Sequence, residues 1–185
     1  MTSDVITNIL TYILNFSIEN CIVQNDWKIA RVTPIFKSGD EHAVNNFRPV
    51  SVLPIVSKII ERHVFNAFYE YLTVNRLITN CQSGLIDRWL KNIDDGKLTG
   101  VLFIDLSKAF DTVNHAVLLH KLKMFGVSEN SLKWFESYLS CRKQYVGLNG
   151  ILSEPKSITI GVPQGSILGP LFFILFVNDY PKCLV

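Results

Sequence analysis

Four consecutive apolar residues, Val101-Leu102-Phe103-Ile104, stop abruptly at a carboxylate, Asp105. A run this short and this apolar reads as a strand buried on both faces, which needs packed helices or a second layer around it. A carboxylate at its end is costly unless it is hydrogen-bonded, paired or bound to a cation. Two readings follow for Asp105: it caps the next turn, or it holds a metal ion. The rest of the chain supplies the layers. Val5, Ile6, Ile9, Leu10, Ile13 and Leu14 recur at helical spacing after a Ser3–Asp4 cap, and a longer helix runs from Val56 to Leu72 with one apolar face. Shorter helices are expected at Asp87–Ile93, at His115–Phe125 closed by Gly126, at Ser128–Leu139 with Ser128 as cap, and at Ile167–Asn178. Ile29–Phe36, broken by Pro34, suits a short edge strand. Gln144–Leu148 and Ile151–Ile160 flank Asn149-Gly150, the strongest short hairpin signal. The layout is α+β: a small sheet with helices packed on it.

The 185 residues are 48% hydrophobic and 18% charged, which excludes a disordered or low-complexity chain. Eighteen Lys and Arg against sixteen Asp and Glu leave a net charge of +2. Contact with a polyanion therefore needs a local patch, because whole-chain charge does not provide it. Cys21, Cys81, Cys141 and Cys183 are widely spread with no zinc-ligand spacing, and they read as thiols in a reducing compartment. The N-terminus lacks a positive leader, and Ile167–Val177 is too short for a membrane span. The expectation is a soluble, intracellular protein with no membrane contact.

Asp111 lies six residues after Asp105, behind a turn at Leu106-Ser107-Lys108. It reads first as a cap for the following helix and second as a metal ligand. Gly161-Val-Pro-Gln-Gly-Ser-Ile-Leu-Gly-Pro170 is rich in turn formers and opens a helix. Its glycines would let a backbone approach a substrate, and the helix N-terminus would favour phosphate. Lys37 and Arg48 flank a strand break and read, taken alone, as solvated surface charges. His42, His63, His115 and His120 lack any triad or metal context and read as surface or core side chains.

Taken together, Phe103-Ile-Asp-Leu-Ser-Lys-Ala-Phe-Asp-Thr-Val113 and Gly161–Pro170 resemble motifs A and B of reverse transcriptases from non-long-terminal-repeat retrotransposons. Trp27–Asp40 and Asn46–Pro54 resemble the fingers segments of the same family, in the same order, and the likeness covers about Trp27 to Val185. It implies a right-hand polymerase with fingers and a partial palm, built on a small antiparallel sheet. By it, residues 1–26 lead into the fingers, 27–99 form the fingers, and 100–185 form the palm segment. The resemblance makes Asp105 the catalytic carboxylate that binds two Mg²⁺ ions, aided by the Leu106 carbonyl. Lys37 and Arg48 would neutralise a nucleoside triphosphate. Phe110 would press on the sugar and exclude a 2′-hydroxyl, selecting deoxynucleotides. Gln164 and Gly165 would support the template base and the nucleotide, while Asp111 stays structural. The implied partners are an RNA template, a DNA primer, dNTPs, the remainder of the polymerase and an endonuclease domain of a longer element protein. Nuclear action follows from the family's mode of insertion, with no basic localisation run here to support it.

Two departures from the family pattern shape the expected activity. No Ala-Asp-Asp run occurs in the 185 residues; Asp94-Asp95, the single Asp-Asp pair, precedes motif A and leads into Gly96. After Cys81-Gln-Ser-Gly84, Leu85-Ile-Asp-Arg-Trp89 follows at once, as though a segment near residue 85 had been skipped. One strand-end aspartate cannot organise two Mg²⁺ ions and a triphosphate. The expectation is an incomplete, inactive polymerase fragment; the alternative is a non-catalytic nucleic-acid-binding remnant of one. A palm sheet left with an open edge also predicts poor solubility.

Overall fold

The computed structural model describes residues 2–78, 85–98 and 108–179. The apolar run 101–104, Asp105, Leu106, Cys81 and Cys183 lie outside the described residues. The described residues form one small sheet and six helices: α1 (Thr2–Glu19), α2 (Ile55–Val74), α3 (Leu85–Asp94), α4 (His115–Met124), α5 (Glu129–Leu139) and α6 (Leu168–Val177). The strands are β1 (Ile29–Phe36), β2 (Phe47–Val52), β3 (Arg142–Leu148), β4 (Ile151–Leu152) and β5 (Lys156–Ile158). The chain is therefore α+β.

Local chemistry accounts for most boundaries. Ser128 accepts a hydrogen bond from the Ser131 amide at the start of α5, and Gly126 closes the α4 region with φ +79°. Asn149 and Gly150 both take positive φ, 49° and 81°, and join β3 to β4 in the primed turn that suits strand twist. α1 already includes Ser3 and Asp4, so these two residues lie within the helix and not before it.

Three expectations about the sheet need correction. β1 is not an edge strand: the order is β2-β1-β3-β4, with β5 also on β3. Pro34 is tolerated because β3 pairs β1 only from Ile29 to Val32, leaving Pro34 facing Pro49 of β2 alone. The sheet is also not purely antiparallel. β1–β2, β3–β4 and β3–β5 are antiparallel, but β1 and β3 run parallel. A parallel pairing needs a long crossover, and the chain between them, which carries α2 to α5, provides it. Finally, the strand expected over Ile151–Ile160 is two short pieces, β4 and β5, interrupted at Ser153–Pro155, and Pro155 cannot donate to a ladder.

The core lies among α2, α4, α5 and α6. α6 is apolar all round, and Leu168, Leu171, Phe172 and Leu175 are buried. Phe172 meets Phe135 edge-on at 5.4 Å, and Phe135 packs on Phe68 of α2 at 5.0 Å. α1 joins this core through its end: buried Ser17 accepts the Trp134 indole N–H at 3.2 Å and donates to the Ile22 carbonyl at 2.6 Å. β3, from the 100–185 segment, pairs with β1 from the 27–99 segment, so the two segments share one sheet.

Candidate active site

The 161–167 loop is the structural junction. The Gly161 and Val162 amides donate to the Val113 and Phe110 carbonyls, both at 2.8 Å, which ties the loop to the turn carrying Phe110 and Asp111. His115 Nε2 donates to the Gly161 carbonyl at 2.7 Å. On the other side the Ser51 amide of β2 donates to the Gln164 carbonyl at 2.7 Å. The glycines make this docking possible. A Cβ at Gly161 would stand 2.9 Å from the Asp111 carbonyl oxygen, and one at Gly165 would stand 2.5 Å from that of Ser51, with φ at +88° and +121°. Sequence reasoning expected these glycines to admit a substrate; the backbone they admit is the protein's own.

The expectation that the α6 N-terminus favours phosphate is corrected as well. Its first amides are taken: Ile167 and Leu168 donate to Glu61 Oε2 at 2.6 and 3.4 Å, and Gly169 donates to Ser166 Oγ at 3.0 Å. Glu61 is fully buried on α2 and also accepts the Ser57 hydroxyl at 3.0 Å. A carboxylate from another helix thus sits where an anionic ligand would.

Asp111 lies in a 3-10 turn, Ala109–Thr112, entered through Lys108 in the left-handed region at φ 55°. It does not cap α4; Asn114 does, accepting the Val117 amide at 3.1 Å. Asp111 instead accepts the Gln164 side-chain amide at 3.3 Å on an exposed surface. Phe110 is half-buried, its ring 5.4 Å from Phe173 of α6.

Lys37 and Arg48 come together on the β1–β2 hairpin. Arg48 pairs with Ile35, and Lys37 follows two residues later on the same face, its amide bonded to the Asn46 carbonyl at 2.9 Å. Both side chains are exposed. The same alternation adds residues that sequence reasoning missed. Arg31 pairs with Val52 on one side and Tyr145 on the other, and Lys143 pairs with Ile29, so Arg31, Lys37, Arg48, Lys143 and Tyr145 share one sheet face. None of the five strands contains an Asp or Glu. Arg31 lies over Gly147, its Nε 2.5 Å from where a Cβ there would stand. The signal was the period-2 pattern of β1 and β3, legible only once their parallel register is known. Gln164 docks on β2 three residues from Arg48, about 10 Å along the strand.

The opposite face is buried at Ala30, Val32, Ser51 and Arg142, and it carries charge there. Arg142 is 1% exposed; its Nη1 donates to the Tyr138 carbonyl at 3.0 Å and its guanidinium lies 4.7 Å from the Tyr138 ring centre. Its Nε and Nη2 have no hydrogen-bond partner among the described residues. Nearby Lys28 is also buried, and burial lowers its pKa; Cys141 opposes that shift and Arg142 adds to it. The Tyr138 phenol is pushed well above its usual range, first by burial and then by the Glu61 carboxylate.

The described residues alone do not make a divalent-ion site. No three His, Cys, Asp or Glu converge among them, and Asp111 is engaged by Gln164. Asp105 and Leu106, the positions to which the resemblance assigns the ions, fall outside the described residues. No described helix is long and apolar enough to cross a membrane.

A hairpin with two exposed cations, a glycine-built loop docked beside it and an aromatic turn under that loop thus stand together in the fold, the segments whose sequence resembles the polymerase family. Comparison with known proteins agrees. Residues 35–184 match the family model for reverse transcriptase (RNA-dependent DNA polymerase). The chain is 34% identical over 170 residues to a probable RNA-directed DNA polymerase from transposon BS of Drosophila melanogaster, covering 84% of this chain and 18% of that protein. It is 32% identical over 169 residues to the RNA-directed DNA polymerase from mobile element jockey of the same species, with the same two coverages. It is 27% identical over 170 residues to the Pol polyprotein of the type-1 retrotransposable element R2 of Popillia japonica, covering 85% of this chain and 24% of that protein. The chain belongs to the reverse transcriptase family. It spans about a fifth of the length of these relatives. The family generally uses divalent metal ions.

Proposed function

We propose that these residues form the nucleotide- and template-contacting part of an RNA-directed DNA polymerase within a longer element protein, with 27–99 as fingers and 100–185 as palm. The observation that carries this reading is the double docking of the 161–167 loop. It bonds to β2 at Ser51 and to the turn at Phe110 and Val113, beside a sheet face with four cations and no acid. Loop, turn and basic face are thereby held in one place by backbone bonds, the pre-organisation that phosphoryl transfer relies on.

The roles are divided by chemistry. Lys37 and Arg48 offset the negative charge of an incoming dNTP triphosphate. Phe110, backed by Phe173, presents a ring edge against the sugar and excludes a 2′-hydroxyl. Gln164 and Gly165 support the template base and the nucleotide. Asp105 and the Leu106 carbonyl would hold Mg²⁺, which supplies charge neutralisation for attack by a primer 3′-hydroxyl. The partners are an RNA template, a DNA primer, dNTPs and the remaining polymerase and endonuclease parts, and the work is nuclear.

Assayed by itself, the 185-residue chain offers one motif A carboxylate and no Ala-Asp-Asp run. The expected result is binding of a primer–template hybrid at low salt without Mg²⁺, and no primer extension when Mg²⁺ and dNTPs are added. Metal-dependent synthesis abolished by Asp105→Ala would overturn the inactivity. Absence of hybrid binding at low salt would overturn the nucleic-acid role.

A further inference from the structure

The loop that carries Gln164 is pinned from three directions, and one of the pins is a buried charge. Glu61 sits 106 residues upstream of Ile167, is fully buried, and presents both carboxylate oxygens to donors. Oε1 takes the Ser57 hydroxyl from the preceding turn of α2; Oε2 takes the Ile167 amide at 2.6 Å and the Leu168 amide at 3.4 Å. α6 does not lack a conventional cap, because Ser166 Oγ already accepts from Gly169. The Glu61 carboxylate is therefore an additional anchor. It fixes the last loop residue to α2, while Ser51 fixes Gln164 to β2 and Phe110 and Val113 fix Gly161 and Val162 to the turn. No water replaces such an acceptor in a fully buried position without rearrangement, so its loss leaves two amides and a hydroxyl unpaired.

We propose that Glu61 is a positioning residue for the 161–167 loop, setting where Gln164 and Gly165 stand against β2 and the Phe110 turn. Its consequence for template and nucleotide rests on the polymerase reading above; its effect on the loop does not. A purely local helix cap and a positioning anchor differ in reach. A cap protects Ile167 and Leu168 only. An anchor also keeps the Ser51–Gln164, Gly161–Val113 and Val162–Phe110 bonds closed, although none of those groups touches the carboxylate.

Amide hydrogen exchange on the 185-residue chain separates the two. In Glu61→Ala, exchange at Ile167 and Leu168 should accelerate about tenfold or more, and so should exchange at Ser51, Gly161 and Val162, while amides of α5 keep their protection. Glu61→Gln keeps a carbonyl acceptor of the same reach and should restore protection at Ser51, Gly161 and Val162. Acceleration confined to Ile167 and Leu168 would overturn the proposal. Should Glu61→Ala not fold, Ser57→Ala removes only the hydroxyl that orients Oε1; it should accelerate the same five amides by a smaller factor, and unchanged Ser51 exchange there would equally overturn it.

Hybrid binding supplies the second readout. Glu61→Ala and Gln164→Ala should weaken binding of a primer–template hybrid, and the double variant should bind no worse than the weaker single, because both act through one loop. Additive losses would contradict the anchor. A wild-type chain that does not bind the hybrid at all would defeat the polymerase reading instead, leaving the exchange pattern to judge Glu61.

Discussion

At the residue scale, the least expected feature is charge in the interior. Glu61, Arg142 and Lys28 are all buried, yet they form no ion pair with one another. Each is accommodated differently: Glu61 by amides and a hydroxyl, Arg142 by the Tyr138 ring and carbonyl, and Lys28 by a lowered pKa. Tyr138 sits among them, its buried hydroxyl close to the Glu61 carboxylate and the Ser166 hydroxyl but in well-formed hydrogen-bond geometry with no group among the described residues. Removing that hydroxyl by Tyr138→Phe should change stability by less than about 1 kcal/mol at pH 7, since no well-formed hydrogen bond is lost. Above pH 10 the sign becomes informative. The raised phenol stays protonated in the fold while the unfolded chain ionises, so the unfolded state binds fewer protons and wild-type stability falls as pH climbs. Tyr138→Phe lacks that fall, and denaturant titrations at pH 7 and pH 11 should show the variant gaining on wild type. Equal pH dependence of the two proteins would contradict the buried phenol.

At the element scale, Gly165 carries the sharpest prediction. Its φ of +121° and the Ser51 oxygen 2.5 Å from a prospective Cβ leave no room for a side chain. Gly165→Ala should cost about 2–4 kcal/mol in chemical denaturation. A cost near zero would mean that the loop is not docked on β2. This docking was invisible in the sequence, as were the Glu61 anchor and the parallel pairing of β1 with β3, because each joins residues about a hundred positions apart. What depends on neighbours was legible. The helical periodicity placed α2, α4, α5 and α6 to within a residue or two, Ser128 announced its cap, and Asn149-Gly150 announced its turn. Between these limits lies Asp111: its place before a helix favoured a capping role, but Asn114 was three residues closer and took it. The motif residues Lys37, Arg48, Phe110, Gln164 and Gly165 could be named from the family likeness. Arg31, Lys143 and Tyr145 could not, since their shared face exists only once the register is set.

At the scale of the whole molecule, the 185 residues carry more apolar surface than their own core uses. Ile6, Ile9, Tyr12 and Phe16 of α1 are exposed, as are Leu90 and Ile93 of α3 and Ile151 and Leu152 of β4. Relatives five times as long offer further chain to cover such faces, and the net charge of +2 does little to keep them apart in solution. That same modest net charge makes the acid-free sheet face the feature on which the functional account turns. The most direct test is the salt dependence of hybrid binding, followed by fluorescence anisotropy from about 50 to 200 mM salt. If the face holds phosphates, the logarithm of the association constant falls linearly with the logarithm of salt, and Arg31→Gln, Arg48→Gln and Lys143→Gln each flatten the slope by about 0.7–0.9. Lys133→Gln on α5, away from the sheet, leaves it unchanged. Slopes indifferent to the three sheet cations, or equally sensitive to Lys133, would contradict the account.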